Sequence, residues 1–118
     1  MDKAYYHISE EKLGEGAKIP LVKMADSETV FRAMADMMAD CIVENNAAGR
    51  RTVFICPVGP VGQYPFFVER VNKERISLKN VWFFNMDEYL NDDGTYIDAS
   101  NPLSFRGFMD RVVYTKID

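Results

Sequence analysis

A chain of 118 residues, 47% of them apolar, has the length of one domain and enough apolar content for a core. Its net charge of −4 argues against a nucleic-acid or membrane-surface protein, and no apolar run approaches the ~20 residues of a membrane span. The start, MDKAYYHISEEKLGEGAK, lacks the apolar core of a signal peptide. Cys41 and Cys56 lack metal-ligand spacing and read as buried free thiols of a reducing compartment, so a cytoplasmic protein is expected.

Residues 1–18 read as a polar N-terminal arm with Gly14 and Gly16, in which Tyr5 and Tyr6 pack on a neighbour and His7, the only histidine, lies at the surface. Ile19–Met24 reads as a strand, at an edge because of Pro20. Ser27 is the expected N-cap of a helix running to about Glu44, with Glu28 at its positive end. Its expected inner stripe is Val30, Met34, Met37 and Cys41, flanked by Phe31, Met38 and Ile42, so the methionines belong to the core. Thr52–Cys56 is a short buried strand ending in the tight loop CPVGPVGQYP. Pro65 suits the first turn of a helix reaching Asn72, which packs Phe67, Val68 and Val71 on the sheet. Val81–Asn85 opens with four apolar residues, the pattern of a strand buried on both faces. Asn91–Gly94 fails calcium-loop spacing and reads as a polar turn. A last helix spans about Leu103 to Val113, with Phe105, Phe108, Met109 and Val112 inward.

Strand, glycine-bearing loop, helix and strand make a βαβ unit. The expected fold is a three-layer, Rossmann-like α/β unit with at least three parallel strands, Ile19–Met24 among them. In such a sheet ligands bind outside the carboxyl ends of the strands, which is where Asp87 and Glu88 stand. An acidic pair there also serves as an ordinary turn or helix cap, so the residues alone leave the role of Asp87 open. Glu88, next along an extended segment, points the opposite way and reads as fixing the turn. The loop fits neither common nucleotide motif, although a glycine loop opening a helix can bind phosphate.

As strings, FNMDEY, IPLVKMADSETV, ISLKNVWFFNMDEYL and PLSFRGFMDRVVY resemble the glucosamine-6-phosphate deaminase (isomerase) family, relatives of the 6-phosphogluconolactonases. The resemblance runs from Ile19 to the end and implies that residues 19–118 are the N-terminal part of a single α/β sugar-phosphate isomerase domain. It implies aldose–ketose isomerisation of an amino-sugar phosphate with loss of ammonia, with Asp87 as the base at C2. Val58, Gly59, Pro60, Val61, Gly62, Gln63 and Glu88 are then the substrate-binding residues. No cofactor or metal, no nucleic acid and no membrane is implied; the partners are a small sugar phosphate and further copies of the chain. Two departures stand out. Where the family's phosphate loop resembles PTGGTP, this chain has neither threonine hydroxyl, and Pro60 lacks an N–H; Phe105 also replaces a frequent tyrosine. Family members continue into a second half with a catalytic histidine and basic phosphate ligands, so a fragment is expected. A lactonase-type hydrolase and a non-catalytic sugar-phosphate-binding module remain the competing readings.

Overall fold

The computed structural model describes residues 4–118. Strands β1 (Thr52–Cys56) and β2 (Val81–Asn85) pair in parallel, with Thr52 opposite Val81 and Cys56 opposite Asn85. Parallel strands need a crossover, and helix α2 (Gln63–Glu74) supplies it. Helix α1 (Ser27–Ala47) precedes the pair and α3 (Phe105–Val112) follows it. Both expected strand ranges and their parallel pairing hold, and the chain is an α/β unit.

Helix α1 starts one residue earlier than expected, because its N-cap is Asp26 rather than Ser27. The Asp26 carboxylate accepts the Thr29 N–H at 2.7 Å, and that hydrogen bond holds its pKa below the ordinary carboxylate range. The inner stripe also differs. Ala35, Ala39 and Ile42 are buried, while Val30, Met37 and Cys41 face outward; of the methionines among the described residues only Met38 and Met109 pack in the core. Two features select this face. The alanines leave room for Tyr64, Phe67 and Val71 of α2, and Arg70 of α2 clamps the flank of α1, meeting Asp36 at 2.9 Å and Asp40 at 2.5 Å, with Glu74 of its own helix at 3.0 Å. Cys56 is the one buried thiol, and burial pushes its pKa up, leaving it unreactive.

The core lies on one side of the sheet. Phe83 of β2 sits at its centre, with ring centroids 5.7 Å from Phe54, 6.2 Å from Phe67 and 5.9 Å from Tyr114. Buried Met109 and Val113 close it from the α3 side. The alternate residues of both strands face away, and Val53, Ile55, Trp82 and Phe84 are 53%, 66%, 48% and 51% exposed. Burial of β2 on both faces therefore does not hold among the described residues.

Ile19–Met24 is not a strand. An isolated strand leaves its N–H and C=O groups unpaired, and Pro20 supplies no N–H. Among the described residues the sheet contains β1 and β2 alone, so this segment has no ladder to join, and Ile19, Leu21 and Val22 stay exposed. Upstream are two 3-10 turns, Ala4–His7 and Glu10–Lys12. His7 is exposed as expected; the packing role expected of Tyr5 falls outside the described side chains. No helix among the described residues is long and apolar enough to cross a membrane.

The one-sided core makes a prediction by contrast. Phe67→Ala removes a fully buried ring and should cost about 3–5 kcal/mol. In residues 1–118 by themselves, Ile55→Lys on the open face should cost less than about 1 kcal/mol and reduce binding of a hydrophobic dye. Urea denaturation of both variants checks this, and a large loss from Ile55→Lys would show that the face is covered in solution.

Candidate active site

Because the strands are parallel, both end at one edge of the sheet. The Met86 N–H donates to the Cys56 carbonyl at 2.9 Å, so the segments leaving β1 and β2 start side by side. The first, Pro57–Gly62, is fastened to the start of α2. The Tyr64 hydroxyl donates to the Pro57 carbonyl at 2.5 Å, and Gln63 Nε2 donates to the Pro60 carbonyl at 2.9 Å. The Gly59–Pro60 peptide is cis, and Gly59 has φ +148°, a value that favours glycine. Gly62 is required sterically, since a Cβ there would stand 2.3 Å from the Phe31 ring of α1. The side-chain oxygen of Gln63, Oε1, is buried without a partner among the described residues.

The second segment carries Asp87 and Glu88, and they have opposite fates. Glu88 Oε1 accepts the N–H groups of Tyr89 and Phe105, each at 2.9 Å. Its Oε2 accepts the Arg106 N–H at 2.9 Å and the Ser104 hydroxyl at 3.0 Å. Ser104 caps the same helix, its hydroxyl accepting the Gly107 N–H at 3.1 Å. The first N–H groups of a helix lack intrahelical partners and carry partial positive charge, so a carboxylate satisfies α3 well. Burial is the largest single influence on Glu88 and opposes its ionisation. The N–H groups of Arg106, Phe105 and Tyr89, with the Ser104 hydroxyl, together outweigh it and hold the carboxyl below its ordinary value.

Asp87 is exposed, and its carboxylate makes no hydrogen bond or ion pair among the described residues. It opens into a cleft of about 480 Å3 whose walls include Phe83, Asn85, Tyr96, Tyr114 and Arg106. Val58, Gly59, Pro60, Val61, Gly62 and Gln63 share the sheet edge with Asp87, yet none of them lines this cleft. Arg106 was not singled out by the sequence reading. The available signal was a cation in the first turn of a helix, where the helix dipole opposes it. No group of His, Cys, Asp and Glu among the described residues is placed to hold a metal ion.

No protein-family model matches the chain. Among curated proteins, it is 32% identical over 101 residues to a glucosamine-6-phosphate deaminase of Aliivibrio salmonicida, which covers 83% of this chain and 36% of that protein. The chain resembles the glucosamine-6-phosphate deaminases. The deaminase of Borreliella afzelii is 31% identical over 94 residues and that of Phocaeicola vulgatus 29% over 98, each match covering 77% of this chain. The chain spans about a third of the length of these deaminases, with 36%, 35% and 33% of them matched.

The Glu88 arrangement predicts an acid-sensitive fold. A carboxyl held below its unfolded value stabilises fully above that value, 4.5 for glutamate, and loses its contribution as pH falls through the folded value. Glu88→Gln keeps the shape but replaces one acceptor oxygen by a donor, and should cost about 1–2 kcal/mol near neutral pH. Denaturation midpoints from pH 7 to pH 3 should fall less steeply in the variant; identical pH profiles would remove Glu88 from this role.

Proposed function

We propose that this chain carries the base-bearing part of a glucosamine-6-phosphate deaminase-like enzyme acting on an amino-sugar phosphate. The observation that carries this reading is the division of labour between neighbouring carboxylates. Glu88 is fully engaged with α3, while Asp87 is unengaged, solvent-open and at the carboxyl end of a parallel strand. A base needs a free carboxylate that substrate can reach.

The similarity to the deaminases supplies the reaction that this placement would serve. In the opened sugar, Asp87 takes the proton from C2, the electron pair forms a C1–C2 double bond, and the C1 carbonyl oxygen takes a proton from water to give an enolamine. Return of a proton to C1 leaves an imine at C2; water adds to it, and the C–N bond breaks. The products are a ketose phosphate and ammonia, so water is the only co-reactant consumed. Binding of substrate over Asp87 displaces water, which strengthens the carboxylate as a base. The loop Val58–Gly62 and Gln63 serve the substrate from the neighbouring side of the sheet edge, and Glu88 acts by positioning.

In this reading residues 19–118 are the N-terminal part of one domain following the arm 1–18. The open face of Val53, Ile55, Trp82 and Phe84 takes the third layer of a three-layer, Rossmann-like sandwich. The greater length of the related deaminases supports that assignment. The protein works in the cytoplasm as a homo-oligomer. A non-catalytic sugar-phosphate-binding module is the second reading, favoured by a loop that has valines at 58 and 61 and proline at 60.

Asp87→Asn preserves shape but removes the base. On the protein as its gene encodes it, solvent-deuterium exchange at C2 should slow by ~10²–10⁴-fold, with little change in fold. Exchange at the wild-type rate would take the base role from Asp87, and a wild-type protein that binds sugar phosphate without exchange would favour the module. Release of an aldonate instead of ammonia would point to a lactonase-type hydrolase.

A further inference from the structure

We propose that Arg106 is a substrate-recognition residue whose guanidinium takes an oxyanion of the sugar, phosphate or carboxylate, in the cleft that holds Asp87; this rests on the reading of that cleft as the substrate site. Three independent observations lead there. First, Arg106 is the only cation among the cleft's lining residues, and it makes no ion pair or side-chain hydrogen bond among the described residues. Asp98 feels its charge, but the Asp98 carboxylate is occupied by the Ser100 N–H at 2.8 Å.

Second, its position runs against helix stability. Arg106 is the second residue of α3, where the partial positive charge of the helix terminus repels a cation. Without an ion pair or side-chain hydrogen bond among the described residues, Arg106 gains from the fold only the longer-range attraction of Asp98, and such local conflicts are expected where function requires them. Third, its backbone is held rigidly. The Arg106 N–H is bound by Glu88 at 2.9 Å, and Glu88 directly follows Asp87. One latch therefore fixes the base and the root of the cation together, as a site needs.

The chemistry complements the loop at Val58–Gly62. Without hydroxyls at positions 58 and 61, and without an N–H at Pro60, that loop offers fewer donors for an anion. A guanidinium supplies paired N–H donors in the geometry of phosphate and carboxylate oxygens. At about 480 Å3 the cleft has the size of a small-molecule site, with one carboxylate free to act as a base and one cation free to hold an anionic substrate.

The test compares glucosamine 6-phosphate, glucuronate and neutral glucosamine, by calorimetry and steady-state kinetics on the protein as its gene encodes it. Arg106→Gln should weaken glucosamine 6-phosphate binding about 10–100-fold while leaving glucosamine unchanged. The effect should fall on KM rather than kcat, and Arg106→Lys should restore part of it by charge alone. The thermal midpoint should stay level or rise, because the Glu88 bond is to the backbone and an opposed cation is gone. If glucuronate binding shows the same dependence, a carboxylate is accepted too; if only the phosphate does, the site selects phosphate. Wild-type affinity in Arg106→Gln, or an equal loss for glucosamine, overturns the proposal. If Asp87→Asn still abolishes C2 exchange in that case, the failure is confined to Arg106. If neither variant changes binding or exchange, the substrate cleft itself is wrong.

Discussion

The Glu88 carboxylate joins the end of β2 to the first turn of α3, and the geometry of the candidate site depends on that junction. Four donors converge on its two oxygens, three from the backbone and one from Ser104. The connection between them is polar and internally bonded: Asp93 accepts from the Thr95 N–H at 2.9 Å and Asn91 Nδ2 donates to the Thr95 hydroxyl at 3.0 Å. Ala99 packs so closely on α3 that a Cβ at Gly107 would stand 1.9 Å from its carbonyl oxygen. Glu88 is drawn onto the helix, and Asp87, on the wall of the same cleft, keeps its carboxylate without a partner among the described residues.

A second constraint is the parallel pairing of β1 and β2. It delivers a glycine- and proline-bearing loop and an acidic segment to one sheet edge, although the cleft at Asp87 is walled by β2 and the segments after it. The helices hold this pair from one side. Arg70 locks α1 to α2, and Asn72 ties α2 to the chain end, its Nδ2 donating to the Lys116 carbonyl at 2.7 Å and its Oδ1 accepting the Asp118 N–H at 3.2 Å. Exposed ion pairs contribute little singly. The three at Arg70 matter because they converge on one guanidinium that is itself only 23% exposed. The uncovered face, with Arg51 stacked over Trp82 at 4.0 Å, contributes nothing to this core.

Local signals in the sequence revealed the strands that carry the site, because runs of β-branched and aromatic residues bounded by glycine, proline and asparagine leave few alternatives. They misplaced what depends on partners. Ile19–Met24 has strand composition, yet a strand exists only beside another. Val30, Met34, Met37 and Cys41 have helical spacing as good as that of Ala35, Ala39 and Ile42. Hydrophobicity alone favoured the larger residues, whereas room for the α2 side chains favoured the small ones. VWFF suggested two buried faces, and the described residues cover one. The place of Asp87 just beyond a strand end and the turn-fixing role of Glu88 were legible from their order. Arg106 was not, because its significance lies in a cleft that it shares with β2 and Asp87 from a separate helix.

The central claim is that one carboxylate of the neighbouring pair is bound by α3 while the other is free. The most direct measurement is carbon-13 NMR titration of the two side-chain carboxyls, with amide shifts of Phe105 and Arg106 followed in the same samples. Glu88 should titrate below the ordinary glutamate range, and both amides should shift with its midpoint. A Glu88 midpoint at the ordinary value of 4.5, with amides indifferent to it, would contradict the account.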